Sequence, residues 1–179
     1  MFNLLLLAAL FASCMAHATV DNYFYSAAVG TGSGSSFSSE GENGAGGRIA
    51  GIRVYEYPSN YICGIQLKYK HEEDWSAIMG REYGTAQEII LYDDEFIVQV
   101  SGKYSSYIYQ VIFGTSRGRT LFAGQPSQTS FNMYPQHEKA ELILLSGNFN
   151  GHGITSLAAH WAVFSEEEQE EAAEEDSSS

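Results

Sequence analysis

Short apolar segments dominate the chain between Thr19 and Phe164, where Gly, Ser, Asn or Asp interrupts them at intervals of about ten residues. The segments are rich in Tyr, Ile, Val, Phe and Thr, which favour strands. The pattern predicts strands at residues 23–28, 48–57, 61–70, 86–92, 96–104, 107–115, 120–122, 129–134, 141–146 and 154–164. The last segment also fits an amphipathic helix, although its Trp-Ala-Val-Phe end suits a strand equally well. The fold class predicted from this pattern is all-β.

Alternation of apolar and polar residues is clearest in segment 61–70. Ile65, Leu67 and Tyr69 fall on one face, and the residues between them are Gln66 and Lys68. Because successive side chains of a strand point to opposite faces, this segment is expected to bury one side only.

The N-terminal segment differs from the rest of the chain. Residues 4–12 form an uncharged apolar run that is too short to span a bilayer, and Ala16-His17-Ala18 offers a small-x-small cleavage pattern. We therefore predict a signal peptide at residues 1–18 and a secreted protein that starts at Thr19. No later stretch is long or apolar enough to predict a membrane helix.

Negative charge is concentrated at the C-terminal end. The chain carries 9 Lys+Arg against 22 Asp+Glu, a net charge of -13, and eight of the acidic residues follow Phe164. Segment 165–179 has no aromatic or branched apolar residue, so it is predicted to be a disordered acidic tail behind a domain at residues 19–164. The tail is either a solubilising segment or a weak binder of divalent cations or matrix. An acidic chain repels phosphate backbones, so nucleic acid is not an expected partner.

Catalytic and metal-binding patterns are not found in the sequence. The adjacent carboxylates of Asp93, Asp94 and Glu95 favour a polar turn, whereas glycoside hydrolysis needs two carboxylates that face each other. The histidines show no pair at metal-binding spacing, and no nucleophile elbow occurs. Cys63 is the single cysteine outside the predicted signal peptide, so it is read as a small buried hydrophobe, with an intermolecular bridge as the alternative. No enzyme activity, catalytic residue, metal or cofactor is predicted.

Several motifs, in order and spacing, resemble the jacalin-related lectins, and within them the animal branch typified by the zymogen granule membrane protein. The motifs are Gly30-Thr31-Gly32-Ser33-Gly34, Arg48 to Val54, Tyr61 to Tyr69 with Trp75, Val98 to Tyr104, Phe113-Gly114-Thr115, and Leu145-Ser146-Gly147 followed by Ala159-His160-Trp161. The resemblance covers about residues 23–164. It implies a β-prism of three four-stranded Greek-key sheets and a metal-independent site for glycans or glycoproteins.

The same resemblance implies which residues form the sugar site. They belong to a glycine-rich loop, a recognition loop and a loop before the last strand: Gly30, Gly32, Ser33 and Gly34; Lys103 and Tyr104; and Gly151, His152, Gly153, Ile154 and Thr155. Sugar hydroxyls both donate and accept, so a compact site needs backbone donors and a strong acceptor.

Thr155 occupies the position where the family has Asp, and an extra residue lies near Asn148-Phe149-Asn150. A neutral hydroxyl lacks the charge-assisted hydrogen bonds of a carboxylate, which contribute roughly 1.5–3 kcal/mol, or about ten- to a hundredfold in affinity. Asn148, Asn150 and His152 either contact sugar hydroxyls or only form the turn, and Phe149 either stacks on a sugar or joins the core.

Two functions remain open at this stage. The first is a secreted lectin for mannose-type or related glycans with an atypical site, and the resemblance implies its release through a secretory granule lumen. The second is a structural or packaging protein of secretory granules that kept the fold but lost sugar binding.

Overall fold

The structure is a computed structural model that describes residues 20–40, 46–70 and 72–164. The predicted signal peptide, the predicted acidic tail at residues 165–179 and His71 lie outside the described residues.

Strands form all the regular structure within these ranges, and no helix occurs there, so none that could span a membrane is present. The strands are β1 (Val20–Tyr25), β2 (Val29–Gly30), β3 (Ser35–Ser38), β4 (Ile49–Glu56), β5 (Ile62–Tyr69), β6 (Met79–Gly80), β7 (Thr85–Ile90), β8 (Ile97–Tyr104), β9 (Ile108–Thr115), β10 (Thr120–Gly124), β11 (Thr129–Met133), β12 (Glu141–Phe149) and β13 (Ile154–Phe164).

The strands pair into three antiparallel sheets. The first has the order β1-β13-β12-β3, and β2 continues β1 as an interrupted edge strand because both pair with β13. The other two have the orders β6-β5-β4-β7 and β10-β9-β8-β11. In each of these, three consecutive strands form hairpins and the fourth returns beside the first, which is the Greek-key arrangement. The predicted all-β fold with three four-stranded sheets is confirmed.

The inner faces of the sheets enclose one core. Trp161, Phe113, Ile52, Leu67 and Leu145 are fully buried there. In β5 the apolar residues Ile65, Leu67 and Tyr69 are buried, while Gln66, Lys68 and Lys70 are partly exposed. Residues 62–65 are all buried, however, so both faces are covered in the first half of β5 and the expectation of a single buried side holds only for its second half.

The predicted elements match most of the strands, and segment 154–164 is a strand rather than a helix. The first strand begins and ends about three residues earlier than predicted, and β2, β3 and β6 were not predicted. Asp93 and Asp94 lie in the predicted turn. Glu95, however, is buried against Arg119 instead of facing solvent.

Candidate functional site

Three connections between strands meet at one end of the prism. They are the glycine-rich loop between β2 and β3, the turn between β8 and β9, and the turn between β12 and β13. The backbone N–H of Thr31 donates to the carbonyl of Thr155 at 2.9 Å, and the Thr31 hydroxyl donates to the carbonyl of Ser106 at 3.4 Å. The Asn150 amide donates to the Tyr107 hydroxyl at 3.1 Å. The three loops that sequence reasoning selected are thus neighbours in the fold.

Glycine has two different roles in the first loop. Gly30 has a φ of +105°, and a Cβ on it would lie 2.1 Å from the Thr155 carbonyl oxygen, so a side chain there is excluded by the backbone. Gly32 has a φ of +68°, but the nearest atom to its Cβ position is Oδ1 of Asn148 at 3.6 Å. Residues 30–34 are all exposed. A Cβ at Gly32 would therefore only touch Asn148 at ordinary van der Waals distance, and the exposed surface beside these two residues is accessible to a ligand.

Thr155 lies under this loop instead of facing solvent. Its residue exposure is 0%, and its hydroxyl donates to the carbonyl of Ser33 at 2.6 Å. Gly153 and Ile154 are buried as well, whereas Gly151 and His152 are exposed. The Thr155 side chain therefore fastens the glycine-rich loop to β13, and the solvent-facing part of the last loop is its tip.

The asparagines of the β12–β13 hairpin hold its turn. Oδ1 of Asn150 accepts the backbone N–H groups of His152 at 3.1 Å and Gly153 at 3.3 Å, which is a local side-chain cap of the turn. Oδ1 of Asn148 accepts the Ser156 hydroxyl at 2.8 Å. Both amides keep further donor capacity, because each amide nitrogen carries two hydrogens. Phe149 is partly buried.

Lys103 and Tyr104 lie at the end of β8 and contact the edge strand β11. The Lys103 ammonium donates to the Ser130 hydroxyl at 2.8 Å, and the Tyr104 ring meets Phe131 edge-on at 6.1 Å between centroids. The residues of this turn that reach the other two loops are Ser106 and Tyr107.

A row of stacked tyrosines starts at this site, and we call Tyr107, Tyr61, Tyr57 and Tyr83 the tyrosine row. Neighbouring ring centroids are 4.2, 5.4 and 5.6 Å apart, with interplanar angles of 17°, 21° and 28°. Sequence reasoning did not single out these residues. A signal was present, because Tyr57, Tyr61 and Tyr107 all flank turns between strands.

The tight turn between β4 and β5 positions Tyr57 and Tyr61, the two middle residues of the tyrosine row. The Tyr57 N–H donates to the Tyr61 carbonyl, which brings the two rings side by side across the turn. Gly153 allows Tyr61 to approach the site, since a Cβ there would lie 2.6 Å from the ring. Burial raises the pKa of Tyr61 above its usual value, and Tyr107 adds to this effect.

The chemistry of the site is that of neutral hydrogen-bonding groups. Loop residues 30–34, 105–107 and 148–155 contain hydroxyl, amide and imidazole side chains and no carboxylate. In the part of the chain that the structure describes, no group of three His, Cys, Asp or Glu residues is placed to hold a metal ion. Such a set of groups can bind a polyhydroxylated neutral molecule.

Most of the described chain matches one known protein family. The model of the jacalin-like lectin domain matches residues 26–160, a range that contains all three converging loops. The chain belongs to the jacalin-like lectin family. Proteins of this family bind carbohydrates and are not enzymes, so the prediction of a lectin with no enzyme activity is confirmed at this level.

Similar proteins support the same family. Zymogen granule membrane protein 16 of Homo sapiens is 38% identical over 165 residues, which cover 92% of this chain and 96% of the relative. The protein of the same name from Mus musculus is 41% identical over 142 residues, covering 78% and 81%. The resemblance to this animal branch is thereby confirmed.

Solved jacalin-like lectins share the fold. The crystal structure of a prostate-specific WGA16 glycoprotein lectin aligns with a TM-score of 0.67 and 30% identity, over 78% of this chain and 99% of that one. Artocarpin, solved in complex with methyl-α-mannose, aligns with a TM-score of 0.65 and 17% identity over 78% and 97%, which supports the fold alone.

Proposed function

We propose that this jacalin-like lectin is secreted and binds a mannose-type or related neutral glycan at the junction of the three loops. The proposal rests mainly on one observation, the convergence of these loops at the exposed Gly32. The site would contain residues of all three predicted segments, with Gly32 and Ser33 on one side and Gly151 and His152 on the other.

The acceptors of this site differ from those of an Asp-based site. Because the Thr155 residue is fully buried beneath the glycine-rich loop, with its proton donated to the Ser33 carbonyl, a sugar hydroxyl does not reach it. We assign the acceptor role to the exposed His152 imidazole and to the Asn148 amide oxygen, which lies 3.6 Å from the Cβ position of Gly32 and keeps a second lone pair beside its bond with Ser156. Neutral acceptors form weaker hydrogen bonds than a carboxylate, so affinity for a single sugar is expected to be low.

A substitution at Gly32 tests this proposal. Gly32→Trp covers the exposed surface beside Asn148, and the cost of its positive φ is roughly 1–2 kcal/mol of stability, which the fold can tolerate. Gly118→Trp is the matched control, since Gly118 also has a positive φ, of +75°, with no atom within 4 Å of its Cβ position, and lies in the turn between β9 and β10 at the opposite end.

Binding of methyl α-mannoside would be measured by calorimetry, and a glycan array would cover related sugars. We expect the parent protein and Gly118→Trp to bind equally well and Gly32→Trp to bind at least about tenfold more weakly, which corresponds to about 1.4 kcal/mol. Absence of saturable binding to every sugar, with the protein folded, would overturn the lectin proposal.

The second candidate function is that of a packaging protein in a secretory granule. It is favoured by the burial of Thr155, which takes the residue at the expected acceptor position away from a ligand, and by the acidic sequence after Phe164. In this case the segment 165–179 makes weak contacts with divalent cations or matrix. The full chain should then aggregate reversibly with millimolar-range calcium while a chain ending at Phe164 does not, and equal behaviour of the two would refute this function.

Secretion is tested separately. The relatives named above carry zymogen granules in their name, and residues 1–18 have the pattern of a signal peptide. Expression of the full chain in secretory cells should release a protein whose N-terminal residue is Thr19. Retention inside the cell with Met1 in place would contradict this proposal.

A further inference from the structure

The tyrosine row leads away from the proposed sugar site. Tyr107 is bound to Asn150 of the hairpin turn, and Tyr61 lies against Gly153. From there Tyr57 and Tyr83 continue the row, with exposures of 38% and 44%. The row therefore begins at the site and extends along the surface over more than the width of one sugar ring.

The accessible parts of the row are ring edges and hydroxyl groups. The inner ring faces stack on each other, and the guanidinium of Arg81 covers the face of Tyr83 at 4.3 Å. Within the described residues, the hydroxyls of Tyr57 and Tyr83 form no hydrogen bond to the protein. These two phenols therefore remain available to a ligand.

This arrangement suits a chain of sugar units. Each phenol both donates and accepts, as a sugar hydroxyl does, and the ring edges contact the apolar C–H groups of a pyranose. Stacking also fixes the side chains before binding, so little conformational entropy is lost when a ligand is bound. If the row only stabilised the fold by stacking, phenylalanine rings would do so equally well, and the hydroxyl groups of Tyr57 and Tyr83 would not be needed.

We propose that Tyr57 and Tyr83 form an extended subsite that binds the second and third sugar units of an oligosaccharide whose first unit occupies the loop site. The inference rests on the proposed lectin function. It adds a ligand class, a neutral oligosaccharide in preference to a monosaccharide, and it assigns this preference to residues that the first sugar does not contact.

The test compares methyl α-mannoside with an α-linked mannotriose by calorimetry. In the parent protein the trisaccharide should bind roughly tenfold more tightly, because each additional neutral hydrogen bond contributes a few-fold in affinity. The double variant Tyr57→Phe/Tyr83→Phe keeps the stacked rings and removes both hydroxyls. Its affinity for the monosaccharide should be unchanged, while the advantage of the trisaccharide should fall to about threefold or less.

Tyr134→Phe is the control for removal of an exposed phenol. Tyr134 is 54% exposed and follows β11 at the end of the prism opposite the site, so this variant should bind both sugars as the parent does. Thermal unfolding of all variants verifies that the fold is intact.

The outcomes separate this inference from the proposed function. If the parent binds the monosaccharide and the trisaccharide equally, or if the double variant keeps the full advantage of the trisaccharide, the extended subsite is wrong and the lectin proposal stands. If neither sugar binds to the folded parent, the proposed mannose-type site fails and the subsite fails with it.

Discussion

Thr155 determines how the proposed sugar site would differ from one built on aspartate. A threonine hydroxyl can donate a hydrogen bond, and Thr155 donates its proton to the Ser33 carbonyl. A carboxylate at the same position could only accept, so it would have to turn away from that carbonyl. The family resemblance predicted that Thr155 belongs to the segment before the last strand that forms the site. It could not predict the direction of the hydroxyl, which depends on a carbonyl 122 residues away.

His160 should make stability depend on pH. Its Nδ1 is hydrogen-bonded to the Tyr23 hydroxyl, its Nε2 to the Ser146 hydroxyl at 2.7 Å, and the Tyr25 ring lies beside it. Burial lowers the pKa of His160 below its usual 6.5, so the unfolded state binds protons more readily. The contribution to stability is complete above about pH 6.5 and is lost as the pH falls through the folded-state pKa.

Urea unfolding of the parent and His160→Gln at about pH 7.5 and pH 5 measures this effect. The free energy of unfolding should fall more steeply with acidification in the parent than in the variant. Burial raises the pKa of Glu141 and acts in the opposite direction, but Glu141 is present in both proteins and its effect cancels in the difference. Parallel pH dependences would contradict the assignment to His160.

At the scale of elements, local pattern predicted the long strands and missed the short ones. Strands such as β4 and β8 have eight residues with a strong apolar pattern. In contrast, β2 and β6 have two residues each, and β3 reads Ser-Ser-Phe-Ser. These strands form because a distant partner is in place, as β3 does against β12, and a window of sequence contains no information on that partner. The meeting of the three loops followed from family resemblance and not from periodicity.

The hairpin of β8 and β9 should be sensitive to one added methyl group. Gly102 lies opposite Val111, and a Cβ on it would be 1.9 Å from the carbonyl oxygen of Gln110, so Gly102→Ala forces the backbones apart. We expect a loss of roughly 2 kcal/mol or more in the free energy of unfolding. Gly118→Ala, with no atom within 4 Å, should cost only about 1 kcal/mol through its positive φ. Urea unfolding measures the free energy of unfolding of both variants. If the two variants lost the same stability, the steric explanation would be refuted.

At the scale of the molecule, two polar bridges join the second and third sheets. At the end that holds the site, Glu56 of β4 accepts the Gly124 N–H at 2.9 Å and the Gln125 amide at 2.6 Å. At the opposite end, Arg119 donates to the Ile90 carbonyl and binds Glu95. Because the bridges fix both ends of the contact between the sheets, they also hold the turn with Tyr57 and Tyr61 against the turn with Tyr107.

The Arg119 bridge gives a test of this architecture. Arg119 binds Glu95 through two nitrogens, each at 2.9 Å, and the Glu95 side chain is fully buried. Burial alone would raise the pKa of Glu95, but hydrogen bonds from Thr115, the Tyr92 N–H and Arg119 lower it overall. This pairing contributes stability above about pH 4.5, which is lost as the pH falls through the folded-state pKa.

Arg119→Ala leaves a buried carboxylate without its counter-ion, so the free energy of unfolding at neutral pH should fall by about 3 kcal/mol. Arg117→Ala is the matched control, because Arg117 also lies over the Tyr92 ring but binds the exposed Asp94. An exposed pair is screened by solvent, so this variant should unfold at the same urea concentration as the parent. The loss in Arg119→Ala should also shrink on acidification, since protonated Glu95 no longer needs a cation. If both variants were destabilised equally, the joint between the sheets would depend on packing around Tyr92 and not on the buried ion pair.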